Sequence, residues 1–235
     1  MLGIVSTALE NSWLAVLLTV VCAYLLGSIN SAVIVSRLLY KEDVRDKGSG
    51  NAGATNMLRN YGKKAALYTT IGDLLKSIIA VLLGGWLLMT VQLTHTQEIG
   101  IESMRIVGRY MAGMFCVLGH LYPVYFGFRG GKGVMTALGM IIILDYRVAA
   151  VCLLTFGIVV AISRMVSLSS ILAVFVAPFL VYLLGTYVDG YTILAVSFCT
   201  FMVAVIASII IIQHRTNVVR ILKGTESKLH FGKKK

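Results

Sequence analysis

The chain has 235 residues, of which 58% are hydrophobic and only 13% charged, with a mean hydropathy of +0.87. Soluble domains carry roughly 25% charged residues, so a water-soluble globule is excluded and an integral membrane protein built of helices, not a barrel, is expected. The net charge of +11 does not indicate nucleic acid: seven Lys/Arg fall in residues 37–64 and seven in 213–235, as basic flanks do at the ends of membrane spans.

In chain order, apolar runs predict helices at 13–39, 65–92, 105–127, 134–145, 147–163, 168–186 and 190–212. Residues 134–163 could instead be one long helix. Parity favours seven spans, because the basic segment 40–64, the "FRGGKG" turn, Arg164 and the basic tail then share one side. The fold class is therefore all-α and polytopic, seven transmembrane helices with the N-terminus outside and the C-terminus cytoplasmic. The first span lacks the basic n-region and cleavage site of a signal peptide and is expected to be retained. Cys22, Cys116, Cys152 and Cys199 sit in apolar runs without C-x-x-C spacing and read as small core residues. No internal repeat or long linker interrupts the chain, so residues 1–235 read as a single membrane domain.

Three polar motifs fall on the cytoplasmic side of this arrangement. In the first, "KGSGNAGATNMLRNYG" at 47–62, Gly48, Gly50 and Gly53 permit positive φ, and successive backbone N–H groups can form an anion-binding concavity. Ser49, Asn51, Thr55 and Asn56 add donors, and Arg59 supplies a planar cationic fork. A helix beginning near Thr55 would favour the same anion. The bland alternative is a flexible interfacial loop.

The second motif is "GHLYPVYFGFRGGKGVMT" at 119–136, where Gly130, Gly131 and Gly133 surround Lys132. It is not a Walker A loop, since Phe126 and Gly133 stand where Gly and Ser/Thr would be needed. Pro123 is expected to kink or end the helix, His120 reads as a structural hydrogen-bonding residue, and Tyr122, Tyr125 and Phe126 as interface aromatics. In the third, "QHRTNVVRILKGTE" at 213–226, a helix would place His214 and Asn217, with Ile221 at the margin, on one face. Alone it would be a basic stop-transfer flank. Together the motifs predict one phosphate-type anion pocket beside lipid. Inside the second span, Asp73 and Lys76 at i, i+3 are expected to pair and brace the bundle rather than relay protons.

In order among apolar spans, "GSGNAGATNMLR", "GHLYPVYFGFRGGKGVMT" and "HRTNVVRILKGTE" closely resemble the bacterial acyl-phosphate-dependent glycerol-3-phosphate acyltransferases. "GSINSA" in the first span and "SLSSI" in the sixth extend the likeness over essentially the whole chain. The resemblance implies transfer of a fatty acyl group from acyl phosphate to the 1-hydroxyl of glycerol 3-phosphate, giving lysophosphatidic acid and phosphate. It implies a multi-pass protein of the bacterial cytoplasmic (inner) membrane with a cytoplasmic active site, and leaves room for coupling to the enzyme that produces acyl phosphate. Carried over, Ser49, Arg59, Lys132, His214 and Asn217 would be the catalytic residues. Gly50, Asn51, Gly53, Thr55, Asn56, Gly130, Gly131 and Gly133 would cradle phosphate. Tyr122 stands where phenylalanine is common and Met135 where alanine is common; neither removes a charge or donor.

No H-x-x-x-x-D dyad is present: Gly100, Tyr125, Val219 and Lys235 follow five positions after the four histidines. No acyl-enzyme nucleophile is evident, so direct attack by the substrate hydroxyl is expected, with a substrate phosphate oxygen or His214 taking the proton. No metal or cofactor is expected, because the sequence holds no closely spaced His/Cys/carboxylate cluster. The competing classes are an organic-phosphate transporter using Asp73 and Lys76, and a non-catalytic scaffold recruited by the basic tail.

Overall fold

The structure, a computed structural model, describes residues 2–95, 101–190 and 192–229, with side chains at 13–90, 105–190 and 192–229. The centre of the outer loop expected at 93–103 and the basic end at 230–235 lie outside the described residues. Within them the chain is helical: α1 (Leu2–Ser28), α2 (Ser31–Tyr40), α3 (Ala54–His95), α4 (Ile101–Leu121), α5 (Val134–Leu144), α6 (Tyr146–Ser163), α7 (Val166–Tyr187), α8 (Ile193–Gln213) and α9 (Arg215–Leu222). They fall into two compact units, Met1–Leu144 and Asp145–Lys235.

Among the described residues five segments are long and apolar enough to cross a membrane: Trp13–Tyr40, Ala54–Thr90, Tyr146–Ser163, Val166–Tyr187 and Ile193–Gln213. The first joins α1 and α2, which the sequence predicts as one span. The structure breaks it at Asn30, whose side chain accepts from the Val33 N–H at 3.1 Å and caps α2. The alternative of one helix over 134–163 is not realised. Asp145 ends the continuity by capping α6, its carboxylate accepting from the Arg147 N–H at 2.9 Å.

In the first unit α1, α3 and α4 pack through small residues: Ala23, Ala80, Ala112 and Cys116 form one buried cluster. Two glycine contacts allow backbone to touch backbone. A Cβ on Gly108 would collide with the carbonyl of Gly84 in α3, and one on Gly27 with the carbonyl of Cys116 in α4. Such close crossings let dispersion forces associate helices where lipid gives no hydrophobic drive. Polar groups are placed just as closely. Lys76 and Asp73 do pair, at 3.0 Å, and both are buried.

In the second unit α7 packs against α6 and against α8, and Val148, Ala177, Val181, Val196, Cys199, Val203 and Ile206 are buried. Arg147 clasps one end of this bundle, reaching Asp145 at 2.7 Å and both carboxylate oxygens of Asp189 at 2.7 and 2.9 Å. All four cysteines are free thiols, three of them buried and Cys22 partly so.

Gly108→Ala should therefore lower the melting midpoint of the detergent-solubilised protein by the equivalent of about 1–3 kcal/mol of overpacking. Gly157→Ala is the control: nothing lies within 4 Å of its Cβ position, and the change should be neutral or stabilising by up to about 1 kcal/mol. Equal losses for both would mean that the crossing does not depend on glycine.

Candidate active site

The first glycine-rich segment is an arch on two buried feet. Val44 and Ala52 pack with Ala32, Val33, Met57 and Ala65, while residues 46–50 between them are exposed. Buried Asn56 shapes the arch from beneath. Its amide nitrogen donates to the carbonyls of Val44 and Lys47 at 3.0 Å, and its oxygen accepts from the Ser49 N–H at 3.1 Å and from Asn60 Nδ2 at 2.9 Å. The residue expected to donate to substrate is thus occupied within the loop.

Gly48 and Gly50 adopt φ of 57° and 69°, but Gly53 does not use the left-handed region. Its carbonyl instead accepts the N–H groups of Asn56 and Met57 at 3.0 and 3.1 Å, and α3 starts beside it, one residue before the expected Thr55. Ser49 is exposed at the crown of the arch, and Arg59 is exposed on the second turn of α3. The basic segment 40–64 is accordingly not one loop. Residues 54–61 are helical, and Gly62, at φ 84° and ψ −174°, breaks α3 before its long part.

Two residues that the sequence reading passed over join this arch to the second loop. Arg45 grips Asp43 with bonds of 3.0 and 2.8 Å, and also donates to the carbonyls of Phe126 at 2.6 Å and Arg129 at 3.2 Å. Arg37 adds a second guanidinium on Asp43 at 2.9 Å. Hydrogen bonds from Arg45, helped by Arg37, outweigh burial and hold the Asp43 carboxyl well below the usual carboxylate range. Phe126, read as an interface aromatic, lies instead under both guanidinium groups, 5.8 and 6.0 Å from its ring centre. Tyr122 and Tyr125 are exposed as expected.

The second loop leaves α4 at Leu121, and Pro123 opens a single 3-10 turn at Val124–Phe126. The chain then folds back: Gly130 and Gly131 donate to the carbonyls of Leu121 and His120, each at 3.1 Å. A Cβ on Gly131 would stand 2.7 Å from the carbonyl oxygen of Ala52, so glycine is required here for close approach rather than for an unusual φ. Gly133 has φ 83°, and its carbonyl accepts from Ala137 at 2.8 Å as α5 begins. Half-buried Lys132 lies between these glycines. Both loops thus run directly into helix N-termini, where N–H groups and the helix dipole favour an anion.

His214 and Asn217 belong to the second unit and are buried; the helix expected to carry both begins one residue after His214, which stands at the junction of α8 and α9. His214 Nδ1 lies 2.8 Å from the carbonyl oxygen of Ile210, which can only accept. Nδ1 therefore carries a proton. Asn217 Nδ2 donates to Glu226 at 2.8 Å, and Glu226 also accepts from Ser167 at 2.8 Å and Arg220 at 2.7 Å. Burial alone would push the Glu226 carboxyl up, but these bonds from Arg220, Asn217 and Ser167 win and lower it. Glu226 is the partner of the candidate residue Asn217 that sequence reasoning missed. A lone carboxylate in a basic tail was its only signal. Among the described residues no three His, Cys, Asp or Glu side chains are grouped to hold a metal.

A family model described as Glycerol-3-phosphate acyltransferase matches residues 17–224. The chain is 40% identical over 216 residues to the glycerol-3-phosphate acyltransferase of Coxiella burnetii strain RSA 493, covering 92% of this chain and 99% of that one. It is 42% identical over 207 residues to that of Thioalkalivibrio sulfidiphilus, with 88% and 90% covered. Among solved structures, the glycerol 3-phosphate form of PlsY (YgiH), an integral membrane glycerol 3-phosphate acyltransferase, matches with a TM-score of 0.75 and 36% identity over 92% of this chain and 96% of that one. Its lysophosphatidic acid form matches with a TM-score of 0.73 and 35% identity over 92% and 95%. The chain belongs to the PlsY family of glycerol-3-phosphate acyltransferases. It is an acyltransferase and a multi-pass membrane protein.

Glu226→Gln should cost about 1–3 kcal/mol at neutral pH by weakening bonds to three donors. Because the folded carboxyl titrates below the unfolded value of about 4.3, its stabilisation is complete above that value and lost as pH falls through the folded pKa. The gap in melting midpoint between wild type and variant should therefore close in acid; a gap independent of pH would assign the loss to shape rather than charge.

Proposed function

We propose that this chain transfers a fatty acyl group from acyl phosphate to the 1-hydroxyl of sn-glycerol 3-phosphate, releasing lysophosphatidic acid and inorganic phosphate. The observation that carries the proposal is the meeting of two glycine loops at Ala52 and Gly131. Each loop ends on a helix N-terminus, and Ser49, Arg59 and Lys132 accompany them. The names of the solved relatives, in glycerol 3-phosphate and lysophosphatidic acid forms, support the acceptor and product.

The reaction asks little covalent chemistry of the protein. Acyl phosphate is a mixed anhydride whose phosphate is already a good leaving group. The acceptor hydroxyl oxygen bonds to the acyl carbon, the carbon–oxygen bond to phosphate breaks, and phosphate departs with the electron pair. The hydroxyl proton passes to a substrate phosphate oxygen or to His214. Arg59 and Lys132 offset repulsion between two phosphates, and N–H donors of the loops serve the developing oxyanion. Holding both substrates together supplies several kcal/mol, up to roughly 7–11 in ideal cases.

Ser49 donates a hydrogen bond and does not become acylated. His214 and Asn217 carry substrate-contacting roles by resemblance, as do Asn51, Thr55 and the loop glycines. The fatty chain lies among helices or in bilayer, where each buried CH₂ contributes about 0.8 kcal/mol. The two units act as one acyltransferase domain of seven spans, α4 and α5 completing the five long apolar segments, with the site on the cytoplasmic face of the bacterial inner membrane. No metal or cofactor takes part, and the enzyme that makes acyl phosphate is the natural functional neighbour.

Purified protein should release phosphate from palmitoyl phosphate only with glycerol 3-phosphate present, matched by lysophosphatidic acid. Lys132→Ala should lower kcat/KM by about 10²-fold or more. Release independent of acceptor would overturn the second substrate. Rapid quench and mass spectrometry should detect no acyl group on Ser49; trapping one would replace direct transfer with a two-step mechanism.

A further inference from the structure

We infer that Asp73, Lys76 and His120 form a positioning cluster that fixes the junction of the two glycine loops and thereby the affinity for glycerol 3-phosphate. The inference rests on the proposal that Lys132 and its loop bind that substrate. All three side chains are at most 5% exposed. Lys76 Nζ donates to the carbonyls of Gly27 at 3.0 Å and Ile29 at 2.8 Å, and stands 3.0 Å from Asp73 Oδ1 and 2.9 Å from His120 Nδ1. Ser31 Oγ donates to the same Asp73 oxygen at 3.0 Å. A buried ion pair costs several kcal/mol per charge in desolvation, and apolar residues of equal volume often serve stability as well. Stability alone is therefore a poor reason for this cluster.

Its geometry gives a better one. The ammonium has only protons to offer, so His120 Nδ1 accepts and the ring carries its own proton on Nε2. That nitrogen abuts Gly131: a Cβ there would collide with His120 Nε2 and lie 2.7 Å from the Ala52 carbonyl oxygen. The backbone of the same histidine accepts from the Gly131 N–H at 3.1 Å. His120 thus holds the lysine loop by main chain and ring together, where the foot of the first arch also arrives. Lys132 is the next residue. Any movement of the ring displaces Lys132 and the turn at 51–53 together, while Lys76 and Asp73 stop the ring from moving.

The test is steady-state kinetics on the purified full chain, with the melting midpoint of each variant measured alongside. His120→Asn keeps an acceptor near Lys76 but does not reach the loop, whereas the longer amide of His120→Gln puts a donor near the Nε2 position. His120→Asn should raise KM for glycerol 3-phosphate about tenfold or more with kcat within about threefold, and His120→Gln should recover most of that loss. In a double-mutant cycle, His120→Asn combined with Gly131→Ala should lose no more than the worse single variant, since both disturb one contact. A wild-type KM in His120→Asn, equal loss in the Asn and Gln variants, or losses that multiply in the cycle would overturn the inference. Lys132→Ala with a wild-type KM would instead bring down the underlying reading of the lysine loop, and this inference with it.

Discussion

Inside a bilayer, helices gain no water-driven attraction for one another, because lipid tails are as apolar as leucine. The first unit meets that constraint by bringing backbones into contact, at Gly84 against Gly108 and at Gly27 against Cys116. Within this unit the end of α1 and the base of the lysine loop take their positions from those crossings. Gly27 and Ile29, at the end of α1, present the carbonyls that Lys76 holds, and α4 delivers His120 and Leu121 to the base of the lysine loop. A wider crossing would take from the buried ammonium the two carbonyls of α1 and leave it Asp73 of its own helix, a larger penalty than the lost dispersion contacts.

Glycine-rich loops are often equated with flexibility, and these two are tied down instead. Asn56, Asp43 and Arg45 have their hydrogen-bonding groups directed inward, at loop carbonyls and at each other. Glu226 does the same for Asn217 in the second unit. Ser49 at the exposed crown of the arch and Arg59 on the adjoining turn of α3 are left at the surface, and their chemistry suits a phosphorylated ligand. Such a division favours binding, since groups already held in place lose little freedom when the ligand arrives.

Much of this was legible from the sequence because its signals are local. The helix placed near Thr55 begins one residue earlier, at Ala54, the apolar runs separate α5 from α6 as the seven-span reading has it, and spacing of three paired Asp73 with Lys76. What escaped was contact between distant segments. His120 joins the ion pair from another helix, Arg45 reaches Phe126 across 81 positions, and Glu226 finds Ser167 across 59. No spacing rule encodes such meetings. The inward turn of Asn56 was missed for a related reason: an amide looks the same in sequence whether it faces a ligand or a carbonyl of its own loop.

The break at Gly62 has a mechanical meaning. Residues 54–61, which carry Arg59 and adjoin the arch, form a helical stub separated from the long apolar part of α3 by one residue at φ 84° with open space around it. A long span adjusts to bilayers of different thickness by tilting. Yet Ala65, three residues past the break, packs in the same buried cluster as Val44, Ala52 and Met57, so the stub and the start of the long part are seated on one support. A change in the inclination of the long part is therefore carried to the arch through that cluster, and to the base of the lysine loop through Lys76 and His120.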